Sequence, residues 1–329
     1  MKKFLLVGHY ELNAGPANVN RAFIENADQS MDYIKNCKNK YLRRLMQIFK
    51  CILYKDIVFS GGVPFFEFCL VKLLRKRIYF IMHGCARYEN KINQLEYSEA
   101  FLDREDVILE KVDKIIAVSE NYANWVKQRY PQYKNKITYI NNGIDINETY
   151  HFHDAHADNQ RSIALTGGNR FQKCNLEICK AVELLNKEGH YNITVYSFGR
   201  FYPNGDELLH FPFVRKMGHM DKDTYYNKLK QIDLMVINSE VESFGLVVGD
   251  ALNCGCSLLL AKNVGAISIF KDIRAEDVVL DNRNIHELAQ KIAYLLENSN
   301  IQRLFNSVDR QKCSCKQAFL NLKKNCINE

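Results

Sequence analysis

Short apolar runs recur through the whole chain, each followed by a turn of small residues and a segment with helical periodicity. They predict strands at 4–8, 56–60, 78–83, 114–119 and 137–140, and then at 162–166, 192–198, 214–217, 234–237, 257–261 and 277–279. Helices are expected between them, among them 174–188, 225–231, 244–254 and 285–298. Apolar strands alternating with helices indicate βαβ units and parallel sheets covered on both faces. Two such series predict an α/β fold of two Rossmann-like domains that face each other across a cleft.

The domain boundary is expected in a polar stretch at 147–160. The 329 residues are too many for one ordinary core and suit two domains, which we place at 1–150 and 151–303. This stretch includes His151, His153 and His156. We interpret them as linker residues, because no carboxylate or cysteine supports them at a spacing typical of metal ligands. A last helix around 301–324 has no strand after it, and we treat 304–329 as a separate terminal segment.

Charge and cysteine content limit the partners and the compartment. The formal net charge of +7 favours anionic partners such as sugar nucleotides or lipid headgroups, although a solvated basic surface explains it as well. Nucleic acid is disfavoured, since the basic residues are not interleaved with exposed aromatics on a recognisable module. The 11 cysteines are scattered and lie mostly in apolar stretches. This pattern is typical of reduced core residues in a cytoplasmic protein.

Residues 40–55, from Lys40 to Lys55, predict an amphipathic helix. Its apolar stripe consists of Leu42, Leu45, Met46, Phe49, Ile52 and Leu53, and lysines and arginines flank it. Such a helix can lie on an anionic membrane, or it can pack on its own sheet with a basic outer face. We favour the membrane, which would place the protein peripherally on the inner face of the plasma membrane.

Two loops that follow predicted strands suggest anion binding. In the loop at 8–18, Gly15 allows a close backbone approach and Pro16 suits a first helical turn, although a purely structural turn explains both residues equally well. The loop at 167–173 has paired glycines followed by Arg170 and Lys173. If the helix has begun there, these two cations share a face near its positive end and can neutralise a diphosphate. The alternative is a solvated helix start.

The loop at 238–252 has acidic residues in the turn and a helix expected from about Phe244. Glu242 and Asp250 are eight positions apart, which corresponds to about 12 Å along a helix. This span suits a ligand with a sugar at one end and a ribose at the other. The helix start between them, at Phe244, Gly245 and Leu246, would then face the nucleotide and its phosphates.

These motifs resemble those of glycosyltransferase family 4, which has the GT-B fold, and the resemblance covers most of the chain. Glu242 with the Phe-Gly-Leu after it and Asp250 are similar to the family's E-x7-E element. The loop at 167–173 resembles its phosphate-binding element, and 81–84 resembles its first-domain histidine loop. The segments at 118–120 and 139–145 resemble those before the interdomain hinge. Two residues depart from the pattern: Asp250 replaces a Glu, and Cys174 replaces the Gly after the Lys.

The resemblance implies a role for each candidate residue. Glu242 would contact the donor sugar, Asp250 the ribose, Arg170 and Lys173 the diphosphate, His83 the reacting sugar, and Gly15 the phosphate. The terminal segment at 304–329 would cross back to the first domain. The implied reaction moves a hexosyl or N-acetylhexosaminyl group from a nucleotide sugar, UDP-linked, to a glycan or lipid-linked glycan in surface polysaccharide assembly, with retention of configuration.

No metal or other cofactor is expected. Asp221 and Asp223 have the spacing of a metal-binding DxD motif, but they precede a predicted helix, where Asp223 suits the N-cap. Arg170, Lys173 and helix amides would stabilise the leaving diphosphate instead. Two alternatives remain open. The departures at Asp250 and Cys174 suggest a catalytically silent GT-B partner subunit. A sugar-nucleotide epimerase shares the architecture, but the Glu242–Asp250 element fits a transferase better.

Overall fold

The computed structural model describes residues 3–12, 14–151 and 159–327, and contains two compact α/β units. The first unit consists of Met1–Asn90, Leu95–Asp145 and Gln311–Glu329, and the second of Lys91–Gln94 and Ile146–Arg310. Each unit has one six-stranded parallel sheet. The predicted α/β class with two Rossmann-like domains is therefore confirmed. Two of the three predicted linker histidines, His153 and His156, lie outside the described residues.

The first sheet has the strand order β2-β1-β3-β4-β5-β6. Its strands are β1 (Phe4–Gly8), β2 (Met31–Tyr33), β3 (Asp56–Ser60), β4 (Arg77–Met82), β5 (Lys114–Ala117) and β6 (Ile137–Tyr139). Strand β2 was not predicted, because three residues with an Asp at the centre form no apolar run. It pairs with β1 at the edge of the sheet, where only one neighbour has to be satisfied.

The second sheet has the order β12-β11-β10-β7-β8-β9. Its strands are β7 (Gln160–Thr166), β8 (Asn192–Phe198), β9 (Val214–Gly218), β10 (Leu234–Ile237), β11 (Ser257–Ala261) and β12 (Val278–Val279). Strands β10 and β11 are buried along their whole length, as the unbroken apolar runs of a parallel sheet require. Since all strands are parallel, their carboxyl ends meet at one edge, where ligands bind in open α/β sheets.

The helices of the first unit are α1 (Gly15–Glu25), α2 (Lys40–Leu53), α3 (Phe65–Leu73), α4 (Ala86–Ile92), which ends at the unit boundary, α5 (Glu99–Lys111) and α6 (Glu120–Arg129). Those that follow are α7 (Asn175–Lys187), α8 (Lys222–Leu229), α9 (Val247–Cys254), α10 (Ile285–Glu297), α11 (Ile301–Ser307), α12 (Arg310–Cys313) and α13 (Cys315–Ile327). The expected single helix at 301–324 is therefore three helices. Extended Val308 separates the first two and pairs with Phe270.

Helix α13 belongs to the first unit, although it follows the second unit in sequence. It packs against α1. Its buried side chains are Ala318, Phe319, Leu322 and Cys326. At its outer side, Lys323 Nζ lies 2.5 Å from Asp28 Oδ2 of the first unit. Residues that follow the second unit in sequence therefore add a helix to the first unit, packed on α1.

Helix α2 exposes much of its predicted apolar stripe. Leu45 is 64% exposed and Phe49 62%, whereas the buried residue of this helix is Cys51. The alternative in which the stripe packs on the sheet is therefore wrong for these two side chains. Among the residues that the structure describes, no helix combines the length and apolarity needed to cross a bilayer. All 11 cysteines are free thiols, as the sequence predicts.

Candidate functional site

The loop after β7 needs its glycines for the packing of the chain itself. Gly167 and Gly168 have φ values of +84° and +61°, in the left-handed region that glycine adopts without strain. A Cβ on Gly168 would lie 2.0 Å from the carbonyl oxygen of Arg200. The side-chain amide nitrogen of Asn175, Nδ2, donates to the Gly168 carbonyl oxygen over 2.7 Å. The paired glycines therefore fit this loop against its neighbours, a role that the prediction of ligand approach did not include.

Arg170 and Lys173 do not share an α-helical face. Arg170 precedes a 3-10 turn at Phe171–Lys173, and Cys174 then adopts a left-handed conformation with φ of +50°. Helix α7 begins only at Asn175. The predicted helix start at 174 nearly coincides with this, but both cations stand outside the helix. A left-handed backbone at Cys174 also gives the physical reason why a glycine suits this position.

Lys173 and Glu242 form a buried ion pair through Nζ and Oε2. Their side chains are 8% and 16% exposed, respectively. Ser239 Oγ donates to the same carboxylate oxygen over 3.2 Å. Burial alone would raise the pKa of Glu242, but the charge and hydrogen bond of Lys173, the charge of Arg170 and the bond from Ser239 outweigh it and lower that pKa. Two residues 69 positions apart in sequence thus form an ion pair at the strand ends of the second unit.

The acidic turn is held by backbone bonds and is not helical. The Gly265 backbone amide donates to the Glu242 carbonyl oxygen over 3.1 Å, and the Ala266 backbone amide donates to the Phe244 carbonyl oxygen over 2.7 Å. Gly245 has a φ of +95°, and α9 begins at Val247 with Leu246 as N-cap. The helix start expected at Phe244 is therefore wrong by three residues, and the 12 Å helical separation of Glu242 and Asp250 does not apply.

Of the residues at this helix start, Phe244 places its side chain in the core, where it is 1% exposed. Gly245 and Leu246 precede the first turn of α9. The first amides of a helix have no partner within the helix, and they carry the positive end of its dipole. The Val248 and Gly249 amides already donate to the Gly245 and Leu246 carbonyl oxygens over 3.0 Å, so the amides suited to an anion are those that precede them.

Asp250 is bonded to a residue that the sequence did not single out. Tyr226 Oη on α8 donates to Asp250 Oδ1 over 2.5 Å. Burial raises the pKa of Asp250, while the Tyr226 bond and the charge of Lys222 act in the opposite direction. Tyr226 is 24 positions earlier in the chain, so no local pattern signals the pair.

The DxD spacing belongs to a helix cap. Asp221 is the N-cap of α8, and its Oδ1 accepts from the Thr224 amide over 2.9 Å. The predicted cap residue, Asp223, is therefore wrong, because the helix begins at Lys222, three residues earlier than expected. Within the described ranges, the His, Cys, Asp and Glu residues form no group of three or more that could hold a metal ion.

In the first unit, His83 follows β4 and lies beside Ser60 at the end of β3. Its Nε2 is 2.9 Å from Ser60 Oγ. Burial lowers the pKa of His83 to about 4, so the imidazole is neutral at physiological pH. Gly15 is the first residue of α1, and a Cβ placed there would meet nothing within 4 Å. Unlike Gly168, Gly15 is not required by the packing of the chain.

Two family models match the sequence. Glycosyltransferase Family 4 matches residues 38–148, and Glycosyl transferases group 1 matches residues 210–311. No curated protein matches it significantly. Among solved structures, Anabaena HepE in complex with UDP and glucose has a TM-score of 0.68 at 13% identity, over 99% of both chains. Sucrose-phosphate synthase from Thermosynechococcus elongatus has a TM-score of 0.67 at 16% identity, over 99% of this chain and 98% of that one.

A third structure, the lipopolysaccharide outer core galactosyltransferase WaaB, has a TM-score of 0.64 at 12% identity and 98% coverage of both chains. At such identities the likeness establishes the fold, and the protein has the GT-B fold. Since both family models describe glycosyltransferases, the chain is a glycosyltransferase similar to family 4.

Proposed function

We propose that this glycosyltransferase transfers a hexosyl or N-acetylhexosaminyl group from a UDP-sugar to a glycan or lipid-linked glycan. The observation that carries the proposal is the buried Lys173–Glu242 pair with Arg170 beside it. A buried ion pair contributes little net stability compared with apolar residues of the same size. Its presence at the carboxyl edge of a parallel sheet favours a role in binding a charged ligand.

In the proposed mechanism, Lys173 leaves its ion pair with Glu242 when the donor binds and pairs with the diphosphate instead. Charge-assisted hydrogen bonds from Lys173 and Arg170, with the amides before α9, would stabilise the negative charge on the departing diphosphate. Glu242 would then accept hydrogen bonds from the sugar hydroxyls. In this proposal the protein's own positive groups do the work of a metal ion, and no metal is needed.

Asp250 is proposed to accept hydrogen bonds from the ribose hydroxyls. Its carboxylate is one methylene shorter than the usual Glu, and Tyr226 Oη already bonds one of its oxygens. The other oxygen would then serve the ribose. In the first unit we propose His83 as a neutral partner of the reacting sugar and Gly15 as a residue beside the phosphate. Retention follows if the leaving phosphate assists attack on its own face of the sugar.

The first test is a titration with UDP, GDP and their sugar conjugates in the presence of a chelator, followed by thermal unfolding. We expect UDP to raise the unfolding temperature, because a ligand that binds only the folded state stabilises it by mass action. The double variant K173M/E242Q keeps the site filled but removes both charges, and should lose the shift and the UDP release from UDP-sugars. Full activity in this variant would refute the assignment.

A matched control exists on the surface. Lys187 and Glu183 form an i,i+4 pair on α7 with side chains 69% and 41% exposed. K187M/E183Q makes the same two changes away from the candidate site, so it should keep both the UDP shift and turnover. Equal losses in both double variants would point to general damage to the second unit.

We also propose that the first unit lies on the inner face of the plasma membrane, with the protein in the cytoplasm. The apolar stripe of α2 continues onto α3, where Phe66 is 58% and Leu73 81% exposed. The guanidinium of Arg44 lies 5.7 Å from the Phe66 ring centre, and Lys76 Nζ donates to the Ile52 oxygen over 2.7 Å. An apolar surface edged by cations suits an anionic membrane.

Cosedimentation tests this surface. We expect binding to vesicles of phosphatidylglycerol and phosphatidylcholine in equal parts, weaker binding to pure phosphatidylcholine, and loss of binding in L45S/F49S. L280S/Y294S, which changes two exposed apolar residues of the second unit, should bind like the wild type. No binding to the anionic vesicles at low salt would refute the proposal.

The main alternative is a silent GT-B subunit that binds a partner. Asp250 and Glu242 are both already bonded inside the chain, to Tyr226 and Lys173. A silent subunit would keep these bonds and show no thermal shift with any nucleotide at millimolar concentration. A UDP shift accompanied by turnover excludes this alternative.

A further inference from the structure

A polar groove lies in the first unit between the end of β6 and helix α13. Its volume of about 630 Å³ falls in the usual range for small-ligand sites. The side chains that matter are Tyr139, Lys312, Gln317, Asn321, Lys324 and Asn325. None of the candidate donor residues lines this groove, so it is a separate feature of the fold.

One wall of the groove is an amide ladder on α13. Gln317, Asn321 and Asn325 recur every four residues, on the flank of the helix beside its buried residues, and all three are half-buried. Gln317 Nε2 donates to Asn321 Oδ1 over 3.0 Å, and Asn325 Nδ2 donates to the Asn321 carbonyl over 3.0 Å. Each amide has two donor hydrogens and an acceptor oxygen, so these bonds use only part of its capacity. The bonds order the three amides along the groove.

The groove is also lined by an aromatic ring, two cations and residues 140–141. Tyr139 ends β6, the edge strand of the sheet, and is 41% exposed. A tyrosine combines a flat apolar face with a polar tip, which is typical of interfaces with one wet and one apolar side. Lys312 and Lys324 are exposed. A flat ring next to amides and cations matches a sugar ring with its apolar face, hydroxyls and acidic substituents.

The two walls are fixed to each other. A Cβ on Gly143 would lie 2.4 Å from Cys315 Cα, so the segment after β6 lies directly against the start of α13. The Ile144 amide donates to the Cys313 oxygen over 2.7 Å, and the Cys315 amide to Asp145 Oδ1 over 3.1 Å. A groove with fixed walls requires little ordering when a ligand binds.

We infer that this groove binds an acidic oligosaccharide. The amides would bond sugar hydroxyls, the Tyr139 ring would stack on the apolar face of one pyranose, and Lys312 and Lys324 would pair with carboxylates or phosphates. The choice of a glycan as ligand rests on the proposed function, in which the groove would hold part of a growing acceptor chain. The groove itself stands on the contacts above.

Calorimetric titration with two probes tests the inference. The acidic probe is an octasaccharide of alternating glucuronic acid and N-acetylglucosamine, and the neutral probe is chitohexaose. We expect the acidic probe to bind, and N321A and Y139A each to weaken it about tenfold. K312A/K324A should weaken the acidic probe by a similar factor and leave the neutral one within about twofold. N306A/Y294A, with exposed Asn and Tyr changes in the second unit, should bind like the wild type.

Two outcomes overturn the inference: no binding of either probe at millimolar concentration, or acidic binding that survives both N321A and Y139A. UDP thermal shifts on the same proteins separate this test from that of the donor site. If the wild-type protein binds the octasaccharide but shows no UDP shift, the proposed function is refuted while the inference about the groove still holds. The expected result for N321A is an unchanged UDP shift together with octasaccharide binding that is about tenfold weaker.

Discussion

Each unit has a six-stranded parallel sheet, yet the side chains at the carboxyl ends of the strands differ between the two units. In the second unit, Lys173 and Glu242 face each other as buried charges. In the first, neutral His83 contacts Ser60, and Gly15 opens onto empty space. The shared fold therefore positions both groups of residues, while the electrostatics of each group are set by a few side chains. The contrast shows that the strand ends of the second unit carry paired charges at Lys173 and Glu242, whereas those of the first unit carry the neutral His83 and the small Gly15.

Breaking the ion pair should have the largest effect. Lys173→Ala leaves the Glu242 carboxylate buried without its main partner, and we expect a loss of about 3 kcal/mol in stability together with loss of transferase turnover. K173M/E242Q should recover most of the stability but none of the activity.

The single tryptophan makes this loss assignable to one unit. Trp125 lies on α6 of the first unit, so its fluorescence follows that unit, whereas far-ultraviolet circular dichroism follows both. For Lys173→Ala in urea, the dichroism transition should shift and the fluorescence transition should stay in place. A shift of both by the same amount would contradict independent units.

Glycine substitutions sharpen the comparison next. Gly168→Ala drives a methyl group onto the Arg200 carbonyl and forces a left-handed alanine, so it should cost about 2 to 3 kcal/mol. Gly15→Ala should leave stability unchanged or raise it by up to about 0.5 kcal/mol. If Gly15 lies beside the donor phosphate, this variant should nevertheless weaken the UDP thermal shift. Equal UDP shifts in Gly15→Ala and the wild type would remove Gly15 from the site.

Acid should act on the two units in different pH windows. His83 has a pKa of about 4 in the folded protein against 6.5 ordinarily, so protons bind the unfolded chain more tightly and stability falls as pH drops from 6.5 to 4. Glu242 has a pKa below its ordinary 4.5, so its contribution is complete above pH 4.5 and disappears as pH falls through the lowered value.

Urea midpoints measured against pH test both signs. H83N should flatten the curve between pH 6.5 and 4, as seen by Trp125 fluorescence. K173M/E242Q should flatten the dichroism curve below pH 4.5. The other titrating groups are common to all variants, so only differences from the wild type are compared. An unchanged slope in H83N would show that this imidazole titrates normally.

The smallest effect is expected at Cys174. Cys174→Gly relieves about 1 to 2 kcal/mol of left-handed strain and loses about 1 kcal/mol of thiol burial, so stability should stay within about 1 kcal/mol of the wild type. Cys179→Gly makes the same change at a buried helical site, where no strain is relieved, and should cost about 2 kcal/mol. Urea denaturation followed by dichroism measures both. Similar losses would show that Cys174 carries no strain.

Much of the fold could be predicted from the sequence. Strands such as β3 and β11 are unbroken apolar runs, and burial on both faces of a parallel sheet demands such runs. Strand β2 escaped because Asp32 interrupts it, and the start of α9 was misplaced because nothing local shows that Gly245 adopts a positive φ. Errors therefore fall where tertiary contacts or single backbone angles decide the structure.

The candidate site was predictable as a set of loops but not as a set of pairs. Glu242 and Lys173 were singled out by spacing and charge, yet their ion pair joins residues 69 positions apart. Tyr226 carries no local signal, and its bond to Asp250 depends on how α8 packs beside α9. Side-chain partners across elements are set by packing, which periodicity does not describe.

The position of α13 has a consequence for how the protein is made. This helix belongs to the first unit but leaves the ribosome only after the whole second unit. Until Phe319 and Leu322 arrive, the surface of α1 that they cover stays open to water during synthesis of the entire second unit. The first unit is thus synthesised first, apart from α13, and can be completed only after the second unit has been made. Nascent chains should therefore depend on chaperones longer than the order of the units along the chain suggests.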